Sequence, residues 1–103
     1  MPLYLPHLPN GWCCYLLLCT DGSYYCGLTG DLKRRILDHA SGKGSNYTKG
    51  TKPTALVWFE RCPTRELAVQ REREIKKWSR RKKELLAKNG VWVSLVCQEA
   101  DSG

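Results

Sequence analysis

The chain has 103 residues, 42% of them hydrophobic, and a formal net charge of +7. This is chain enough for one domain and apolar enough to build a core, which excludes two ordinary domains and a disordered polyelectrolyte. The positive balance excludes little by itself, but it favours an anionic partner.

Residues 1–11 contain three prolines and no basic stretch ahead of an apolar core, so they read as an irregular arm and not as a secretory leader. Trp12 to Cys19 is a continuous apolar run, expected to be a buried strand and far too short to span a membrane. Thr20-Asp21-Gly22-Ser23 is a turn signal, and Tyr24 to Leu28 is the returning strand of a hairpin. Side chains alternate along strands, so Tyr15 and Tyr25 share a face only if the hairpin loop has an odd residue count, as in Asp21-Gly22-Ser23.

Asp31 is placed to cap a helix ending near Ala40, with Gly42 as its stop. Leu32, Ile36 and His39 share one face of that helix, with Arg35 at its edge and Arg34 turned away. Residues 41–53 form a polar, Gly-rich loop in which Lys43 and Lys49 are suited to phosphate. Thr54 to Glu60 is a third strand. Thr64 caps a second helix whose buried stripe is expected to be Leu67, Ala68, Ile75 and Trp78, with Glu72 on its shoulder; Arg71 falls inside the stripe without an evident reason. Ser79 either caps a third helix to about Lys88 or lies within a continuing second one. Asn89-Gly90 ends the helical region. Val91 to Val96 alternates weakly, as a short strand or a packed tail would, and residues 97–103 form a frayed end. The expected fold is α+β, a single domain over 12–96. Its order is β-β-α-β-α-α, with a three-stranded, mainly antiparallel sheet covered by helices.

The six cysteines include no CxxC pair, so a zinc site has no support from spacing. Most stand in apolar strand runs and read as small buried hydrophobes, as expected of reduced thiols in a cytoplasmic protein. Residues 71–83 hold eight basic residues (Arg71, Arg73, Lys76, Lys77, Arg80, Arg81, Lys82 and Lys83) against Glu72 and Glu74, which is +6 of the +7. Such a field suits nucleic acid, through counterion release, or an anionic surface; a merely solvated face is the plainer alternative.

The segments CYLLLC, SYYCGLTGDLKRRILDH and LAVQREREIKKW resemble, in that order, the GIY-YIG nuclease family, and most of all its short stand-alone YhbQ-like members. Cys14-Tyr15 stands in the place of "IY" and Tyr25-Cys26-Gly27 in the place of "YIG"; Cys13-Cys14 departs from the usual Gly-Ile. The resemblance covers about residues 12 to 88. It implies a metal-dependent DNA endonuclease whose catalytic set is Tyr15, Tyr25, Arg35, His39 and Glu72. Asn89 is the candidate for the family's closing asparagine.

In that reading Glu72 holds one divalent cation, Mg²⁺ or Mn²⁺, a hard ion that needs few protein ligands. Arg35 braces the phosphate. Tyr15 or His39 deprotonates the attacking water, and Tyr25 holds water or phosphate. All five side chains are expected to meet in one electropositive pocket. Lys43, Lys49, Lys76, Lys77, Arg80, Arg81, Lys82 and Lys83 are the expected nucleic-acid contacts. The substrate class is DNA, branched or damaged forms included, with a targeting protein partner allowed for and no membrane expected. No recognition-helix or zinc-finger signature points to extensive base readout. The alternative readings are a non-catalytic nucleic-acid-binding module on the same fold, and a membrane-surface or protein-docking role for residues 64–88.

Overall fold

The computed structural model describes residues 8–40 and 52–95. Lys43, Lys49, Gly42 and the tail at 97–103 lie outside the described residues. The elements run β1 (Cys13–Cys19), β2 (Tyr24–Thr29), α1 (Leu32–Ala40), β3 (Pro53–Arg61), α2 (Arg65–Lys76), α3 (Arg80–Lys88) and β4 (Val93–Ser94). They build one antiparallel sheet in the order β2-β1-β3-β4.

The fold is α+β as expected, with a correction: the sheet has four strands, not three. Ser94 and Val93 pair with Ala55 and Leu56, and Leu95 N–H donates to Thr54 O at 2.8 Å. A two-residue strand is too short to print a period in the sequence, and the β3 edge creates it by offering unpaired backbone groups.

The hairpin loop is odd, but it closes one residue earlier than expected. Cys19 N–H donates to Ser23 O and Gly22 N–H to Cys19 O, each at 2.9 Å, so Thr20-Asp21-Gly22 is the loop. Gly22 has φ +84°, the left-handed residue that completes a three-residue hairpin turn. The Asp21 carboxylate accepts from Ser23 N–H at 2.9 Å and locks the turn. The register that follows sets Leu17 opposite Tyr25 and Tyr15 opposite Gly27, so the two tyrosines do share a face.

Alternation along β1 divides the core in two. Cys13, Tyr15 and Leu17 face α1 and pack with Leu32, Ile36, Leu56 and Val93. Cys14 and Leu16 face the other way and pack with Cys26, Val57, Cys62, Ala68 and Ile75 under α2 and α3. The five described cysteines are all buried. The sheet is thus sandwiched, with α1 above and α2 and α3 below.

The helix starts follow their caps. Asp31 Oδ1 accepts from Arg34 N–H at 3.2 Å, Thr64 Oγ1 from Leu67 N–H at 3.2 Å, and Ser79 Oγ from Lys82 N–H at 3.2 Å. Ser79, with extended backbone, therefore separates α2 from α3. The buried stripe of α2 needs correcting: Ala68 and Ile75 are buried, but Leu67 is 45% exposed. Arg71 belongs in the stripe for a physical reason. Its guanidinium lies over the rings of Trp58 and Trp78, at 5.9 and 5.4 Å, and bonds Glu60 and Glu74, each at 3.0 Å. A flat, weakly hydrated cation tolerates that half-buried place. Among the described residues no helix is long and apolar enough to cross a membrane.

Candidate active site

Tyr15 is the centre of a small aromatic cluster on the α1 face. It stands on the central strand pair and is fully buried. Tyr25, two residues along the same face of edge strand β2, and His39, from the last turn of α1, complete a triangle. Ring centroids are 6.4 Å apart for Tyr15–Tyr25, 6.0 Å for Tyr15–His39 and 5.9 Å for Tyr25–His39. The Tyr15 hydroxyl lies 3.2 Å from His39 Nε2.

Gly27 makes this reach possible. It sits opposite Tyr15 on β2, and a Cβ there would lie 2.6 Å from Tyr15 Oη and 2.7 Å from Cζ. The tyrosine ring therefore lies across the bare glycine towards the sheet edge. A side chain at Gly27 would evict it.

The environment assigns protonation states. Burial pushes the Tyr15 phenol well above its ordinary value, and the neighbouring Tyr25 adds to this; Arg35 opposes through its charge and a hydrogen bond. Burial depresses the His39 imidazole, and the Arg35 charge depresses it further against a smaller pull from Asp38. At neutral pH the pair is a protonated phenol beside a neutral imidazole, so His39 is the group able to accept a proton. His39 is 4% exposed, and its Nδ1 has no hydrogen-bond partner among the described residues. A buried polar atom left so is costly, which suits a site that receives water or a polar ligand.

Glu72 arrives differently. It stands on α2, in the layer beneath the sheet, and its side chain is 20% exposed. Lys76 Nζ lies 3.4 Å from its carboxylate, and its charge acts on Cys14 and Cys26, which point down from β1 and β2. Tyr15, Tyr25, Arg35 and His39 thus meet on the α1 face, while Glu72 is carried by α2, the helix packed on the other face. What the two faces share is strand β2, where Tyr25 points up and Cys26 points down. The Cys14 thiol lies 3.7 Å from Cys26 Sγ; that contact raises the Cys14 pKa and lowers that of Cys26, and both side chains are buried in the lower core.

The donor set bears on a metal. No group of three or more His, Cys, Asp or Glu side chains among the described residues could hold one. A soft or tetrahedral ion has no cage here. A hard divalent ion that keeps its waters fits a single, partly exposed carboxylate such as Glu72, with Lys76 as the competing partner.

The expected nucleic-acid contacts divide by place. Lys76 ends α2 and Lys77 caps it, while Arg80, Arg81, Lys82 and Lys83 open α3. Arg80 lies against Gly22 at the hairpin tip, and Lys82 Nζ sits 4.2 Å from the Trp78 ring centre. The first turn of α3 has no acidic residue. Four cations at a helix N-terminus oppose its dipole, a cost that an anionic ligand removes. Asn89 does not join the cluster: it ends α3, and its side-chain amide donates to Leu85 O at 3.2 Å.

Sequence reasoning did not single out Gly27 as a site residue. The signal was available in the pairing arithmetic, since a glycine opposite a buried tyrosine on an edge strand marks a close approach.

Comparison with known proteins places the chain in a family. Residues 11–85 match the family model for the GIY-YIG catalytic domain. A UPF0213 protein of Haloquadratum walsbyi is 46% identical over 80 residues, which is 78% of this chain and 90% of that protein. A UPF0213 protein of Halalkalibacterium halodurans is 53% identical over 72 residues, 70% of this chain and 77% of that one. A solution NMR structure of a UPF0213 protein from Bacillus halodurans is 49% identical, covers 75% of this chain and 82% of that chain, and has a TM-score of 0.49. By the match over residues 11–85 and by these relatives, the chain belongs to the GIY-YIG family of nuclease-type catalytic domains, among relatives of the UPF0213 group.

Proposed function

We propose that this protein is a metal-dependent DNA endonuclease that hydrolyses phosphodiester bonds. The observation that carries the reading is the Tyr15–His39 pair, a neutral imidazole held at 3.2 Å from a protonated phenol beside Arg35. In this reading His39 accepts the proton of the attacking water, directly or through Tyr15. Arg35 braces the charge that gathers on the phosphate oxygens. Tyr25 orients the water or a phosphate oxygen.

Glu72 would hold a single Mg²⁺ or Mn²⁺ from below β2. Such an ion, when bound, neutralises charge on the scissile phosphate and the leaving oxygen. The basic residues of α2 and α3 lie in the same layer as Glu72, and they hold the backbone of the substrate without reading its sequence. A cationic ridge that meets phosphates suits selection by DNA shape. Branched or damaged DNA is the proposed substrate, within repair or recombination in a DNA-associated cytoplasmic setting, with a protein partner for targeting.

One observation favours a second reading. Glu72 stands on the lower face and pairs with Lys76, as it would in a non-catalytic nucleic-acid-binding module on this fold. A panel of supercoiled, nicked, duplex and branched DNA, incubated with Mg²⁺ or Mn²⁺, separates the two. Cleavage that Glu72→Ala abolishes supports the nuclease; DNA binding without cleavage by either protein supports the module.

A further inference from the structure

A cavity of about 780 Å³ opens on the lower face of the sheet, between α3, the hairpin end and the segment leading into β4. It is on the other side of the sheet from Tyr15 and His39. Arg81, Glu84, Leu85 and Lys88 of α3 form one wall, and Tyr24 and Trp92 line it as well. Positions 81, 84, 85 and 88 fall on one helical stripe, so a cation stands near each end of the groove, about 10 Å apart along the axis.

Trp92 is the unusual residue. It is 65% exposed, and Leu85 beside the groove is 50% exposed. The ring is not on a loose segment. Val91 N–H donates to Val57 O at 2.8 Å on one side of it, and Val93 enters β4 on the other. Gly90 packs on the Val57 carbonyl, where a Cβ would collide. The backbone thus presents a large aromatic surface to solvent in a fixed place, next to Arg81 and Lys88.

We propose that this groove binds an unpaired stretch of a nucleic-acid strand, with a base stacked on Trp92 and the flanking phosphates on Arg81 and Lys88. Charge decides the class of ligand: two cations against the single Glu84, on a helix whose first turn holds four cations, favour a polyanion. The ring decides its form. Bases inside a duplex cover each other's faces, so away from duplex ends an unpaired base is the one that offers its face to a side chain. The volume falls in the range of small-ligand sites, which admits a nucleotide or two and not a duplex. The inference does not depend on cleavage.

The test uses the full chain in EDTA. The probes are a fluorescent oligothymidylate of about 12 nucleotides and a blunt duplex of the same length. Wild-type protein should bind the single strand, Trp92→Ala should bind it at least about five-fold more weakly, Trp92→Phe should recover most of the loss, and duplex binding should change less than about two-fold. Arg81→Gln with Lys88→Gln, which removes both charges and keeps Leu85 and Trp92, should flatten the salt dependence for the single strand. Unchanged single-strand binding by both variants overturns the proposal. So does an equal loss on the two probes, or wild-type protein that prefers an acidic peptide or anionic vesicles to the single strand. A protein that binds in this way yet never cleaves leaves the groove assignment standing and removes the nuclease reading; a protein that cleaves but fails the Trp92 test does the reverse.

Discussion

Tyr15 and Gly27 form one unit across two strands. The glycine opposite the tyrosine is bare because the phenol ring occupies the place its Cβ would take, 2.6 Å from Oη. The reach of Tyr15 towards the β2 edge, and so its bond to His39, depends on that absence. Gly27→Ala should displace the ring, cost about 1–3 kcal/mol of stability by overpacking, and lower cleavage beyond what the stability loss explains. Thermal melts and cleavage rates at a temperature where the variant is folded check this. A fully active Gly27→Ala protein would show that the hydroxyl position does not matter.

Tyr15→Phe keeps the ring and removes the bond to His39 Nε2. It leaves a buried imidazole nitrogen without its partner, at a cost of about 1–3 kcal/mol. If the pair acts in proton transfer, the single-turnover rate should also fall by about 10²-fold or more, as it should for His39→Ala. A rate unchanged by Tyr15→Phe would reduce Tyr15 to packing.

The pH dependence has a definite sign. Burial and the Arg35 charge hold the His39 pKa below its ordinary value, so between that depressed value and about 6.5 the unfolded chain binds a proton that the folded one does not. The stability contribution of neutral His39 is complete above the unfolded value and is lost as pH falls through the window to the folded value. Melting temperature should therefore drop on acidification below about 6.5, and His39→Phe should remove that part of the drop. The acid limb of the cleavage profile should also lie below about 6.5, since His39 works in its neutral form. An acid limb well above that value would assign the base to another group.

Arg71 serves the fold. Arg71→Met keeps the stem and loses the contacts to Trp58, Trp78, Glu60 and Glu74. Stability should fall by about 1–2 kcal/mol, since the network is half exposed. Cleavage by the folded variant should be unchanged. Chemical denaturation with parallel activity measurements distinguishes this from a role in the site.

The elements that announce themselves locally were legible in the sequence. The apolar run of β1, the Asp-Gly turn and the caps Asp31, Thr64 and Ser79 each carry their own signal, and the structure places all of them close to expectation. Parity made a shared face for Tyr15 and Tyr25 conditional on an odd loop, and the three-residue loop Thr20-Asp21-Gly22 meets that condition. What was not legible depends on partners distant in the chain. β4 exists because β3 offers an edge, and Leu67 is exposed because the helix sits on Ala68 and Ile75. A helical stripe shows which side of α2 is buried but not which face of the sheet it covers; α2 packs on the face opposite α1. The guanidinium of Arg71 in an apolar stripe makes sense only once two tryptophans from separate elements flank it.

The most direct test is the single-turnover cleavage rate of wild type and Glu72→Ala on branched DNA across a Mg²⁺ titration. Joint action of Glu72 and the Tyr15–His39 pair across β2 requires a metal-dependent rate in the wild type that Glu72→Ala lacks at every concentration. Matching titration curves for the two proteins would contradict it.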